Sequence, residues 1–168
     1  MTREDTTLPG EGRPAHAADA EEPVSGTDGA GTIRVLGTLE PDRRLICIAR
    51  RPTFPLGTFD YSVEPPKAFV DLLASHGLQP DRSIDEPTLI ASTGSVESHQ
   101  DWQTTAVWVL VGAELDDTGP MLTVGGQTIT LRSGEVLLFD AWTPHSLHHP
   151  WPPELWALLS TYVQPLAA

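Results

Sequence analysis

His99 and Asp101 stand two positions apart in Gly94-Ser95-Val96-Glu97-Ser98-His99-Gln100-Asp101. His145 closes a second segment, Gly134-Glu135-Val136-Leu137-Leu138-Phe139-Asp140-Ala141-Trp142-Thr143-Pro144-His145. On a strand, residues two apart face the same way, about 6.5–7 Å apart along the chain, so this imidazole and carboxylate can reach one cation from one side. Adding the second imidazole makes a set of two nitrogens and one oxygen. Such a set leaves open positions on a divalent metal, Fe(II) in particular, for a bidentate cosubstrate and O2. Each fragment alone is unspecific: an His-x-Asp triplet arises by chance, and a lone His is more often a surface or hydrogen-bonded residue. The conjunction carries more weight. It requires the pair at a strand start, an intervening block of paired strands, and a Gly-to-His turn segment.

The elements that must position these residues are mostly strands. From Thr88 onward short apolar or β-branched runs follow one another: Thr88–Ser92, Ala106–Val111, Met121–Val124, Gln127–Leu131, Glu135–Phe139 and Leu155–Val163, with His145 beginning a further strand. Gly125-Gly126 joins two of them, a hairpin signal because glycine tolerates positive φ. Many short strands with turn punctuation and no helices between them imply an antiparallel sandwich or barrel. Upstream, Ile33–Gly37 and Arg44–Ile48 flank Glu40-Pro41-Asp42-Arg43 and are expected to pair as a hairpin. Pro65-Pro66 introduces Lys67–Gly77, whose apolar residues at 69, 70, 72 and 73 fit a helical face, with Pro66 in the first turn and Gly77 at the stop. This is the single helix expected. His76 falls in its last turn, where the helix dipole favours a cation.

At 168 residues the chain has room for one domain with a real core. Residues 1–32 are acidic, rich in Gly, Pro, Ala and Thr, and contain Leu8 but no aromatic residue, so they are expected to form a disordered tail, with no role for His16. Residues 33–168 then form the domain. No apolar run approaches the roughly 20 residues that span a bilayer, and a basic-then-apolar leader is lacking at the start, so a cytoplasmic location is expected. The net charge of −13 disfavours nucleic acid and anionic membranes as partners. A small-molecule substrate is the partner expected, with a homodimer left open. Cys47, the lone cysteine, excludes an internal disulfide and lies in an apolar run, where a buried thiol is expected.

The segment from Thr88 to Val163 resembles the double-stranded β-helix, or jelly roll, of the cupins and the Fe(II)/2-oxoglutarate-dependent oxygenases. His99, Asp101 and His145 match the oxygenases' His-x-Asp and distal His. The stretch from Gly94 looks like the glycine-led approach to that pair, and Gly134-Glu135 through Phe139 with Pro144-His145 looks like a segment common to both groups. The resemblance implies a mononuclear Fe(II) oxygenase using 2-oxoglutarate and O2 to hydroxylate or oxidise a small molecule or side chain. Two departures bear on this. Cupins typically carry His-x-His and then Glu, whereas position 101 is Asp and no Glu lies between Asp101 and Val111. The oxygenases typically place an Arg or Lys about ten residues beyond the distal His, to pair with the far carboxylate of 2-oxoglutarate. No Arg or Lys follows His145.

Arg132 is the only other basic residue beyond Asp101, histidines apart, and is the candidate for that clamp; a solvent-facing Arg before the turn is at least as good a description. Arg50, Arg51 and Lys67 are further candidates, and His148 or His149 weaker ones. Trp102 and Trp142 flank the ligands and are candidates for substrate contact, or else pack the rim. Glu97 shares strand parity with His99, and Asp140 suits a turn. Two other functions compete: a cupin-type dioxygenase or isomerase without 2-oxoglutarate, and a non-catalytic ligand-binding jelly roll in which the three residues form a hydrogen-bonded cluster.

Overall fold

The computed structural model describes residues 32–51, 59–114, 118–150 and 154–167. The expected tail lies outside the described residues, except for Thr32. Eleven strands and two helices follow in the order β1 (Arg34–Thr38), α1 (Arg43–Ala49), β2 (Phe59–Ser62), α2 (Lys67–Ser75), β3 (Leu78–Pro80), β4 (Thr88–Ser92), β5 (Val96–His99), β6 (Thr104–Val111), β7 (Met121–Val124), β8 (Gln127–Thr130), β9 (Glu135–Asp140), β10 (His145–His148) and β11 (Trp156–Pro165).

The last eight strands divide between two antiparallel sheets. β4, β11, β6 and β9 are neighbours in one; β5, β10, β7 and β8 are neighbours in the other. Apart from the β7–β8 hairpin, successive strands therefore cross between facing sheets in the manner of two Greek keys, which is a jelly roll, or double-stranded β-helix. β1 extends the larger sheet beside β9, β2 extends it beside β4, and β3 pairs with β11. The turn at Gly125-Gly126 links β7 to β8, with Gly125 at φ 57°.

The larger sheet is buried on both faces. Leu36, Leu45, Phe69, Leu73, Leu89, Ala106, Trp108, Leu110 and Leu159 form a core beneath the helices, with Phe69 stacked on Trp108 at 5.8 Å. Val107, Val109, Leu122, Val124, Leu131, Leu137, Phe139, Leu147 and Leu158 form a second core between the sheets. This two-sided burial explains why β6 reads as a continuous apolar run rather than an alternating one.

The amino-terminal expectations need correction. Arg44–Ile48 is not the second strand of a hairpin but belongs to helix α1, so the described residues hold two helices rather than one. Asp42 caps it, its carboxylate accepting from the Leu45 N–H at 3.0 Å, and Leu45 and Ala49 are buried one helical turn apart. A short apolar run is ambiguous between strand and helix by periodicity alone. The helical geometry turns Cys47 outward, so this thiol is exposed rather than buried. The true partner of β1 is β9, from the far end of the chain. α2 forms where expected, Gly77 follows it at φ 72°, and His76 bonds the Leu36 carbonyl through Nε2 at 2.9 Å.

Candidate metal centre

β5 and β10 are adjacent and antiparallel, and His145 pairs directly with His99. Side chains so placed are close neighbours on one face of a sheet. The two imidazoles accordingly meet, with ring centroids 4.3 Å apart. A register shift follows: Leu147 pairs with Val96, so β5 carries one extra residue between Val96 and His99. This bulge breaks the alternation. Val96 and His99 both line the cavity between the sheets, whereas the Glu97 side chain is exposed and does not line it, so the expected parity of Glu97 with His99 fails.

Asp101 lies beyond the end of β5, not at a strand start, in the segment that crosses to β6. Its N–H donates to the Ala141 carbonyl at 2.8 Å, tying it to the turn that delivers His145. In that turn the Asp140 carboxylate accepts from the Trp142 N–H at 3.1 Å, its carbonyl accepts from the Thr143 N–H at 3.1 Å, and the Pro144 carbonyl accepts from the Gly125 N–H at 2.9 Å. Asp140 thus serves the turn. At the head of the same segment Gly134 adopts φ 92°, and a Cβ there would lie 2.7 Å from the Leu39 carbonyl oxygen; glycine lets the β9 entry pass this close to β1.

The donor atoms of His99, Asp101 and His145 all lie within 4.8 Å of one another. His145 Nε2 is 3.4 Å from Asp101 Oδ2, less than the roughly 4 Å that two bonds of about 2.0–2.2 Å to a shared cation can bridge. Each imidazole is oriented by a backbone carbonyl: His99 Nδ1–H donates to Glu97 O at 2.8 Å, and His145 Nδ1–H donates to Thr143 O at 3.1 Å. A carbonyl only accepts, so Nδ1 carries a proton and Nε2 is the nitrogen left for another partner: in His145 the Asp101 carboxylate, and a metal that would displace any proton there. That is the tautomer and second partner a ligating histidine requires. The donor set fits a divalent metal.

Electrostatics within the triad agree with the geometry. The hydrogen bond from His145 is the main force holding the Asp101 carboxyl below the ordinary carboxylate range; burial opposes it, and the two imidazoles reinforce it. Burial pulls His145 down, but its bond to Asp101, the Thr143 carbonyl and the Asp101 charge together raise it above the ordinary imidazole value.

The triad lies on a cavity of about 310 Å³ between the sheets. Val96, Leu122, Phe139, Leu147 and Leu158 supply apolar wall, and Phe139 meets His145 edge-on at 5.2 Å. Asp60, Asp85, Glu86 and Asp101 all line it, and among the described residues no Arg or Lys does. Sequence reasoning missed Tyr162, Ser160, Trp156 and Thr105. The first three were signalled by alternation on β11, where residues 156, 158, 160 and 162 all reach the cavity. The phenol of Tyr162 is pushed up by burial and by the charges of Asp101 and Asp85, so it stays protonated as a donor.

The other candidates lie elsewhere. Arg132, half-buried, joins an isolated bridge with Ala113 and does not line the cavity. Lys67 pairs with Asp71 at 2.6 Å on the surface; neither it nor Arg50 nor Arg51 lines the cavity. His149 is buried and bonds the Glu154 carbonyl, and His148 is exposed. Trp102 and Trp142 are brought together, edge to face at 6.2 Å, but are 71% and 56% exposed and lie off the lining.

No family model matches this sequence, and no curated protein does. Among solved structures, the chain is similar to a cupin superfamily protein from Desulfitobacterium hafniense, with 13% identity and a TM-score of 0.43 over 78% of this chain and 99% of that one. It is also similar to salicylate 1,2-dioxygenase from Pseudoaminobacter salicylatoxidans, with 15% identity and a TM-score of 0.43, covering 85% of this chain but 37% of that chain. Likeness at this level does not reach chemistry. The jelly roll is assigned from the strand order. Among the described residues, no helix is long and apolar enough to cross a membrane.

Proposed function

We propose that this chain is a cupin-type metalloenzyme, an iron-dependent oxygenase in which His99, Asp101 and His145 hold the metal and the substrate binds beside it without 2-oxoglutarate. The observation that carries this is the charge of the cavity. Among the described residues, four carboxylates line it alongside the two histidines, and no Arg or Lys does. 2-Oxoglutarate is a dianion whose far carboxylate needs a cationic partner, best a guanidinium. Of the stretches outside the described residues, 52–58, 115–117 and 151–153 contain no Arg or Lys, while residues 1–31 contain Arg3 and Arg13. An acidic wall favours a neutral or cationic substrate instead.

A bound Fe(II) would supply Lewis acidity and open positions at which substrate and O2 can meet. The remaining work belongs to the chain. The Glu97 and Thr143 carbonyls hold a proton on Nδ1 of each histidine, which leaves Nε2 as the nitrogen aimed inward. Val96, Leu122, Phe139 and Leu147 exclude water from the substrate's apolar part. Tyr162 offers a phenolic proton at the wall.

Oxygen uptake by the Fe(II)-loaded protein against neutral and cationic small molecules, with and without 2-oxoglutarate, tests this proposal. Uptake that ignores 2-oxoglutarate, and no visible charge-transfer band on adding it, is the expected result. A band and 2-oxoglutarate-dependent uptake would overturn the proposal in favour of the clamp-bearing mechanism, with Arg132 the first residue to examine.

A further inference from the structure

We propose that Asp81 and Gln103 are positioning residues for the ligand Asp101; the inference rests on the metal-site reading above. Asp101 sits in the short crossing between β5 and β6. On its upstream side the crossing is tied to the His145 turn, by the Gln100 side chain donating to the Trp142 carbonyl and by the Asp101 N–H. On its downstream side the anchor is Gln103. Its Nε2 donates to the Val163 carbonyl at 2.8 Å and to Asp81 Oδ2 at 3.1 Å. Two acceptors facing that nitrogen fix the amide orientation, because the flipped form would set oxygen against oxygen.

Asp81 is 6% exposed, and a carboxylate so buried persists only with partners. Its Oδ1 accepts from both the N–H and the hydroxyl of Ser83, and its own N–H donates to the Tyr162 carbonyl at 2.8 Å. The bonds from Ser83 and Gln103 hold its carboxyl below the usual range, so the acceptor stays charged. One buried residue, through its carboxylate and its N–H, thereby joins three segments that line the cavity: the crossing with Asp101, β11 with Tyr162, and the turn leading to Asp85 and Glu86. Asp81 itself does not line the cavity and acts through Gln103.

Asp81→Asn breaks this junction with almost no change of volume. Its amide nitrogen must face either Gln103 Nε2 or the Ser83 donors, and both are donor against donor. Gln103→Leu removes the same link from the other side. Co(II) binding to the full chain, followed by calorimetry and visible absorption, tests the role, with Asp101→Ala as the reference for a lost ligand and Leu73→Ala as a destabilised control away from the site. We expect both variants to bind about 10- to 100-fold more weakly, as loss of a metal site's outer partners typically does. Their spectra should move toward that of Asp101→Ala, while Leu73→Ala keeps wild-type affinity. Wild-type affinity and spectrum in folded Asp81→Asn and Gln103→Leu would overturn the inference. So would failure of both to fold while Leu73→Ala folds, which would assign the pair to the scaffold. Wild-type protein that takes up no Co(II), or binds it equally as His99→Ala, overturns instead the metal site on which the inference rests.

Discussion

On β11, Leu158 and Leu159 are neighbours with opposite surroundings. Leu159 packs beneath the helices among Leu45, Phe69, Leu73 and Trp108, whereas Leu158 faces the other sheet and borders the cavity. The same division runs along β6, where Ala106, Trp108 and Leu110 serve the helix-covered core and Val107 and Val109 the space between the sheets. One face of the sheet is closed by α1 and α2 and carries stability. The other is left partly unfilled, and there the candidate ligands His99, Asp101 and His145 stand. A single sheet can therefore hold an open, charged site because its reverse side is sealed.

Matched substitutions sharpen this contrast. Leu159→Ala should give the larger loss, in the upper part of the roughly 2–5 kcal/mol range for a buried leucine, because a sealed core cannot collapse around the void. Leu158→Ala should fall at the lower end of that range, since its side chain already borders open space, and should alter substrate affinity. Urea denaturation of the two proteins decides the order. Equal losses, or the reverse order, would break the comparison.

A pH titration probes the charged face alone. The Asp101 carboxyl is depressed, so the stability it confers is present above its unfolded pKa and is lost as pH falls through its folded value. His145 is raised, so its contribution is complete below the ordinary imidazole pKa and is lost as pH rises through its folded value. The metal-free pair should thus stabilise most between those two limits and weaken toward alkaline pH. Metal binding displaces the His145 proton and should strengthen over the same alkaline rise. Thermal melts and metal titrations from pH 5 to 9 (a range of about 4 units around the imidazole) should show these opposite slopes, and Asp101→Asn should flatten both.

The smallest effects belong to side chains that neither line the cavity nor anchor the Asp101 crossing. Trp102→Ala removes an exposed edge-to-face contact of about 0.5–1.5 kcal/mol at most and should leave metal affinity unchanged. Arg132→Ala should likewise leave metal binding unmoved. A tenfold loss of metal affinity in either variant would draw the boundary of the site wider than the cavity and the Asp81–Gln103 anchor.

How far these residues were legible in the sequence follows from what each depends on. β4 and β6 through β11 were readable because turn residues punctuate apolar runs, and the convergence of His99, Asp101 and His145 because their two fragments carry their own spacing. The bulge in β5 was not readable, since the extra residue is defined only against β10, and with it went the facing of Glu97. α1 was hidden because five apolar-leaning residues fit a strand as well as a helix until Asp42 is recognised as a cap. The acidic wall was also invisible: Asp60, Asp85 and Glu86 come from three-dimensional closure of β2 and the segment before β4, and nothing local marks them.

Anaerobic equilibrium dialysis of Fe(II) against wild-type and His145→Ala protein tests the central claim most directly. Wild type should retain one iron per chain, and the variant, folded by circular dichroism, should retain none at the same free concentration. Equal iron in both, or none in wild type, would contradict the account and leave the triad as a hydrogen-bonded cluster inside a jelly roll.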